Sequence, residues 1–177
     1  WADTSNNILK MRNSANDDWI DLRTLTGGLT SAADATINSV TVGKGANSVA
    51  GNTVLGESAL DASVSGGENT AIGKEALTAL TSGARNNAVG SGALASNTTA
   101  NNNNAFGYQA LTVNTTGASN NAFGKSTLDS NSTGSNNTAM GHNTLGANTT
   151  ASNNTAFGYQ ALAVNTTGAG NVAVGSE

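Results

Sequence analysis

A bulky apolar residue followed by glycine returns along this chain at a constant step. The pairs are Leu55-Gly56, Ile72-Gly73, Val89-Gly90, Phe106-Gly107, Phe123-Gly124, Met140-Gly141, Phe157-Gly158 and Val174-Gly175, each 17 residues from the next. Polar positions keep the same interval: an asparagine opens every unit, at Asn52, Asn69, Asn86, Asn103, Asn120, Asn137, Asn154 and Asn171. A second apolar mark falls at the ninth place, at Leu60, Leu77, Leu94, Leu111, Leu128, Leu145 and Leu162. Residues 52–170 hold seven full units, and an eighth begins at Asn171. A degenerate shorter unit, TVGKGANSVAG around Val42-Gly43, precedes the array with a 13-residue step to Gly56.

Helical hairpin repeats need units about twice this long, and on one continuous helix successive 17-residue marks drift by about 100°. Each unit also carries Gly, Asn, Thr and Ser, which hydrogen-bond their own backbone in turns and disfavour helix interiors. The pattern therefore predicts an all-β parallel β-solenoid with one superhelical coil per unit. NTAIG is a short strand, the glycine a corner, AL a second short strand, and NTTG the return. Stacked coils pair like a parallel sheet at ~4.8 Å, so seven coils make a rod of roughly 33 Å. Two large apolar side chains per coil are few against the entropy of ordering 17 residues. A homo-oligomer is expected, with the Ala, Leu and Ile/Phe stripe buried between chains held level by symmetry. The apolar set available for core or interface is Ile72, Leu77, Val89, Leu94, Phe106, Leu111, Phe123, Leu128, Met140, Leu145, Phe157 and Leu162.

Residues 1–29 differ in kind, with 7 charged residues and both tryptophans. ILKMR and WIDLRTL alternate apolar with polar around the turn cluster NSANDD, which predicts a small β-hairpin or meander. A hairpin alone is marginal, so Trp1 is expected to lie partway into a small domain. Residues 30–51 are a connector with the degenerate first coil, and 52–177 are the array.

Composition sharpens this picture. Asn, Thr, Ser and Gly make just over half of the 177 residues, with 37% hydrophobic, 10% charged, no Pro and no Cys. An ordinary globular core is not expected. A net charge of −4 leaves no basic surplus for nucleic acid. The short apolar runs are not expected to span a bilayer, and no secretory signal is expected from the opening residues.

Candidate chemistry is sparse. The Asn column is read as a structural ladder of amides bonded from coil to coil, and the Gly column as corners where a Cβ clashes or φ is positive. Asn97, Asn114, Asn131, Asn148 and Asn165 match the glycosylation acceptor pattern, which arises freely in an Asn/Thr-rich chain. The pairs Thr98-Thr99, Thr115-Thr116, Thr149-Thr150 and Thr166-Thr167 raise ice binding as a minor alternative. The lone His142 occupies a variable place shared with Glu57, Lys74, Ser91, Tyr108, Lys125 and Tyr159, so no metal or other cofactor is expected. Glu57, Asp61, Glu68 and Glu75 read as solvated surface charge, and no enzyme is expected. Tyr108 and Tyr159, each in FGYQAL, are candidates for receptor contact, with packing along the coil edge as the alternative. From Asn86 to Ser176 only Lys125 and Asp129 are ionic, which favours a carbohydrate or surface-polymer ligand over a charged one.

The units NTAIGKEALTALTSGARN and NTAFGYQALAVNTTGAGN resemble the YadA-like head repeats of trimeric autotransporter adhesins, and similar repeats occur in phage tail fibres. WADTSNNILKMRNSANDDWIDL and ATINSVTVGKGANSVAGNTVLGESAL are similar to the Trp-bearing module and lead-in of tail fibres of marine and cyanobacterial phages. The resemblance implies a homotrimeric, left-handed parallel β-roll in an extracellular virion tail fibre. It would act as a structural and adhesive segment, contacting other tail proteins and a host surface glycan or protein. Alternatives are the head of a bacterial trimeric adhesin at the cell surface and, less favoured, a polysaccharide-degrading tailspike.

Overall fold

A computed structural model describes residues 34–176 and the strand backbones at 2–3, 8–12 and 19–22. The chain divides into two units, Trp1–Ala32 and Ala33–Glu177. In the first, β1 (Ala2–Asp3), β2 (Ile8–Arg12) and β3 (Trp19–Leu22) are antiparallel neighbours in that order. The turn cluster NSANDD lies outside the described residues.

The second unit is a parallel β-solenoid of about seven turns. Its strands are β4 (Ala35–Ile37), β5 (Val40–Gly43), β6 (Thr53–Gly56), β7 (Thr70–Ile72), β8 (Asn87–Val89) and β9 (Asn104–Phe106). They continue as β10 (Asn121–Phe123), β11 (Thr138–Met140), β12 (Thr155–Phe157) and β13 (Val172–Val174). All ten form one sheet in chain order. From β6 to β13 every neighbour is parallel and displaced by one repeat, so that Ala105 faces Ala122 and Ala122 faces Ala139. Outside the strands the ladder continues: Leu77 N donates to Ala93 O at 3.1 Å and Ala79 N to Ala95 O at 3.2 Å. The backbone of one coil is thus satisfied largely by its neighbours, which answers the entropy of ordering so polar a chain.

Each coil has one strand. The second strand expected near AL is absent, because residues 73–80 and their equivalents form turns. Two left-handed residues cause the difference. Glu75 has φ 57° and Leu77 φ 52°, and the same pair of places is left-handed in the coils above. Alternate left-handed residues curl the chain, whereas a strand needs extended backbone.

The interior of a coil is narrow. Within a strand the middle residue points inward and its neighbours outward, so Ala71, Ala88, Ala105, Ala122, Ala139 and Ala156 stack at 0% exposure. Leu77, Leu94, Leu111, Leu128 and Leu145 are also at 0%, and Leu162 packs against them partly buried. The expected burial of Ala and Leu between chains is therefore corrected: both columns fill the inside of their own coil. Thr127 and Thr144 take alanine places inside, their hydroxyls donating to Gly141 O at 2.5 Å and Gly158 O at 2.6 Å in the coil above.

The degenerate lead-in is only half a coil. Val40–Gly43 pairs antiparallel with β4 and β6, Val42 facing Leu55, and does not stack in the sense of the array. Its latter half does stack, with Ala46 N donating to Leu60 O at 3.1 Å and Asn47 Nδ2 to Val64 O at 3.0 Å. Asp34 secures the reversal by accepting from Lys44 N at 2.7 Å and Gly45 N at 2.5 Å. Its carboxylate occupies the space a Cβ on Gly43 would need.

Candidate functional site

The columns of the coil sort into those that hold the stack together and those that face outward. The leading Asn column is internal. Asn69, Asn86, Asn103, Asn120, Asn137 and Asn154 are at 0% exposure, Asn52 is buried, and Asn171 is half-buried. From Asn69 onward each backbone N–H donates to the Oδ1 one coil below, as in Asn86 to Asn69 at 2.9 Å and Asn171 to Asn154 at 3.0 Å. From Asn52 to Asn137 the amide nitrogen reaches a carbonyl of the return segment, as in Asn103 Nδ2 to Gly117 O at 2.8 Å, while the buried Asn154 Nδ2 lacks a partner. No other side chain of this size offers donor and acceptor in that arrangement.

A second amide ladder went unrecognised among the glycosylation matches. Asn97, Asn114, Asn131 and Asn148 are at 0% exposure. Asn148 Nδ2 donates to Asn131 Oδ1 at 2.9 Å, Asn131 Nδ2 to Asn114 Oδ1 at 3.0 Å, and Asn165 Nδ2 to Asn148 Oδ1 at 3.2 Å. The recurrence of Asn at the twelfth place of five successive units, from Asn97 to Asn165, was its signal, masked by the abundance of asparagine. Leu80 fills this place one coil before Asn97, and the buried Asn97 Oδ1 lacks a partner.

The Gly column carries two constraints. From Gly73 to Gly175 φ lies between 126° and 147°, covering Gly90, Gly107, Gly124, Gly141 and Gly158. A Cβ on Gly73 would meet Gly90 O at 2.7 Å, below any real contact. Gly56 lacks the positive φ but is equally crowded, by Gly73.

In the threonine pairs the first hydroxyl is spent on the neighbouring coil, as in Thr98 Oγ1 to Thr115 O at 3.3 Å and Thr115 Oγ1 to Ser132 O at 3.1 Å. Thr99, Thr116 and Thr150 are exposed. The free threonines form a rank one residue wide, a narrow template for ice.

Acidic groups do not converge. Glu57 pairs with Lys74 at 3.4 Å and Glu68 with Arg85 at 3.1 Å, each one coil apart, while Asp61 and Glu75 are exposed. Among the described residues no group of three His, Cys, Asp or Glu side chains could hold a metal ion. No described helix is long and apolar enough to cross a membrane. A depression of about 170 Å³ lined by Ala161, Leu162, Ala173, Val174, Gly175 and Ser176 lies on the last described coil.

Two columns remain outside. The first holds the bulky residues before glycine: Leu55, Phe106, Met140 and Val174 are exposed, and Ile72, Val89, Phe123 and Phe157 half-buried. Phe106 and Phe123 stack with centroids 5.0 Å apart and planes within 5°. The second follows the glycine and holds Tyr108, Lys125, His142 and Tyr159 in four consecutive coils, all exposed. His142 stacks on Tyr159 with centroids 5.4 Å apart and planes within 10°. No family model, curated protein sequence or solved structure matches this chain.

Proposed function

We propose that this chain is a structural and adhesive segment of a fibre, a homotrimeric left-handed β-roll in a phage tail fibre that spaces or presents a surface toward the host envelope. The carrying observation is the outer apolar column. Leu55 is 45% exposed, Phe106 38% and Met140 46%, although the alanine and leucine columns beside them are buried inside the coil. A coil that has packed its own core and still displays a continuous apolar stripe is suited to burying that stripe against copies of itself. Three parallel copies keep equivalent residues level, so the Phe106-Phe123 stack meets its own counterparts. The in-register parallel ladder resists bending, and the reading assigns no catalytic step. In it residues 1–29 are a small Trp-bearing β-module and the fibre lies outside the cell on the virion. Electron microscopy of virions labelled with an antibody to this chain tests the location, with label along the tail fibres as the expected result.

A further inference from the structure

The column after the glycine has properties the apolar stripe lacks. Its members reach one another over one coil, as the Lys74–Glu57 pair at 3.4 Å and the His142–Tyr159 stack show. Tyr108 is 51% and Tyr159 55% exposed, and neither hydroxyl is bonded to a described residue. Lys125 lies one coil above Tyr108 and one below His142, and forms no ion pair among the described residues. Lys74 and Arg85, by contrast, are each held by a glutamate. From Asn86 to Ser176 the sole carboxylate side chain is Asp129, half-buried at a place four residues further along its coil. This stretch of the surface therefore joins flat rings to a lysine with no ion pair among the described residues.

We propose that Tyr108, Lys125, His142 and Tyr159 form a binding track for an acidic oligosaccharide laid along the coil axis. This rests on the reading above that the fibre meets a host surface, and it names the ligand class. Coils rise about 4.8 Å, close to the length one pyranose ring adds to an extended chain, so successive sugars meet successive coils. The apolar face of a pyranose packs on an aromatic ring, and a uronate carboxylate pairs with the Lys125 ammonium as the Glu57 carboxylate pairs with Lys74. Gln109 and Gln160, following the two tyrosines, offer amides to sugar hydroxyls. Each contact is weak alone, and repetition on several subunits multiplies it.

Calorimetric titration of the whole chain with tetragalacturonate, maltotetraose and tetra-aspartate tests the track, together with the tyrosine and histidine ring resonances. Tetragalacturonate is expected to bind about tenfold more tightly than either other ligand and to shift the rings of Tyr108, His142 and Tyr159. Lys125→Gln should abolish the preference for the acidic sugar, and Tyr159→Ala should weaken both sugars by about fivefold or more. Silence from both sugars at millimolar concentration, equal binding of maltotetraose, or equal binding of tetra-aspartate overturns the inference. Fibre labelling on virions is read separately, so its failure is distinguishable from the failure of this track.

Discussion

The backbone N–H of Asn120 donates to Oδ1 of Asn103, one coil below, at 2.9 Å. Asn120 repeats the gesture upward, where its own Oδ1 accepts from Asn137 N at 3.0 Å and Asn137 Nδ2 at 3.1 Å, while its Nδ2 reaches Gly134 O at 2.8 Å. One buried side chain thereby ties three coils together.

Asn120→Ala leaves Asn137 N without its partner inside the stack, while Gly134 O keeps the Asn131 Nδ2 donor at 3.0 Å. An orphaned buried group costs about 1–3 kcal/mol, and a loss of that size is expected. Thr116→Ala, on the exposed rank, should stay within about 0.5 kcal/mol of the parent. Denaturant unfolding of both variants checks the contrast, and similar midpoints would remove the ladder from the account.

The glycines separate by surroundings. Gly124 has φ 136°, and a Cβ there would meet Gly141 C at 2.7 Å and Thr127 Oγ1 at 2.9 Å. Gly92 has φ 69° and its nearest neighbour, Gln109 Cγ, would stand at 3.5 Å. Gly92→Ala should cost only the left-handed penalty of about 1–2 kcal/mol, and Gly124→Ala more than about 3 kcal/mol. Melting temperatures of the two variants give the comparison.

Leu111 is fully buried with φ 52°. Leu111→Ala removes about 2–5 kcal/mol of packing and keeps the strained backbone. Glycine relieves that strain, so Leu111→Gly should be no less stable than Leu111→Ala, reversing the usual order by about 1 kcal/mol. Chemical denaturation that placed the glycine variant clearly below the alanine one would contradict the left-handed leucine.

Asp129 titrates above the ordinary value of 3.8, since burial penalises its charge more than the hydrogen bonds from Ser130 and the local backbone favour it. Folding thus prefers the protonated carboxyl. Its contribution is fully present below the ordinary value and is lost as pH rises through the raised one. Asp129→Asn should stabilise the chain at neutral pH and flatten this part of the pH dependence above about pH 4. Melting curves across that range read it directly.

Sequence carried the long-range order of this fold further than its local geometry. Eight apolar-glycine pairs at one interval announce equal coils, because equal lengths of chain return each strand to the same register above the last. The path within a coil was harder to read. Leu77 in ALTAL has the pattern of a strand residue, and left-handed backbone is costly for leucine, yet the coil-to-coil bonds and burial hold it there. Val42-Gly43 mimics the strand-glycine signature while pairing antiparallel, a distinction carried only by its 13-residue step and by Asp34 upstream. On the outer face the repeat already puts Tyr108, Lys125, His142 and Tyr159 at one place of the unit, whereas the stacking of His142 on Tyr159 follows from the register of the coils.

The account turns on the outer apolar column, and the mass of the intact chain in native spray reads its consequence most directly. Three 17.4 kDa chains per particle are predicted, falling to one when Phe106 and Phe123 are both changed to aspartate. A folded parent that flies as a single chain would contradict it.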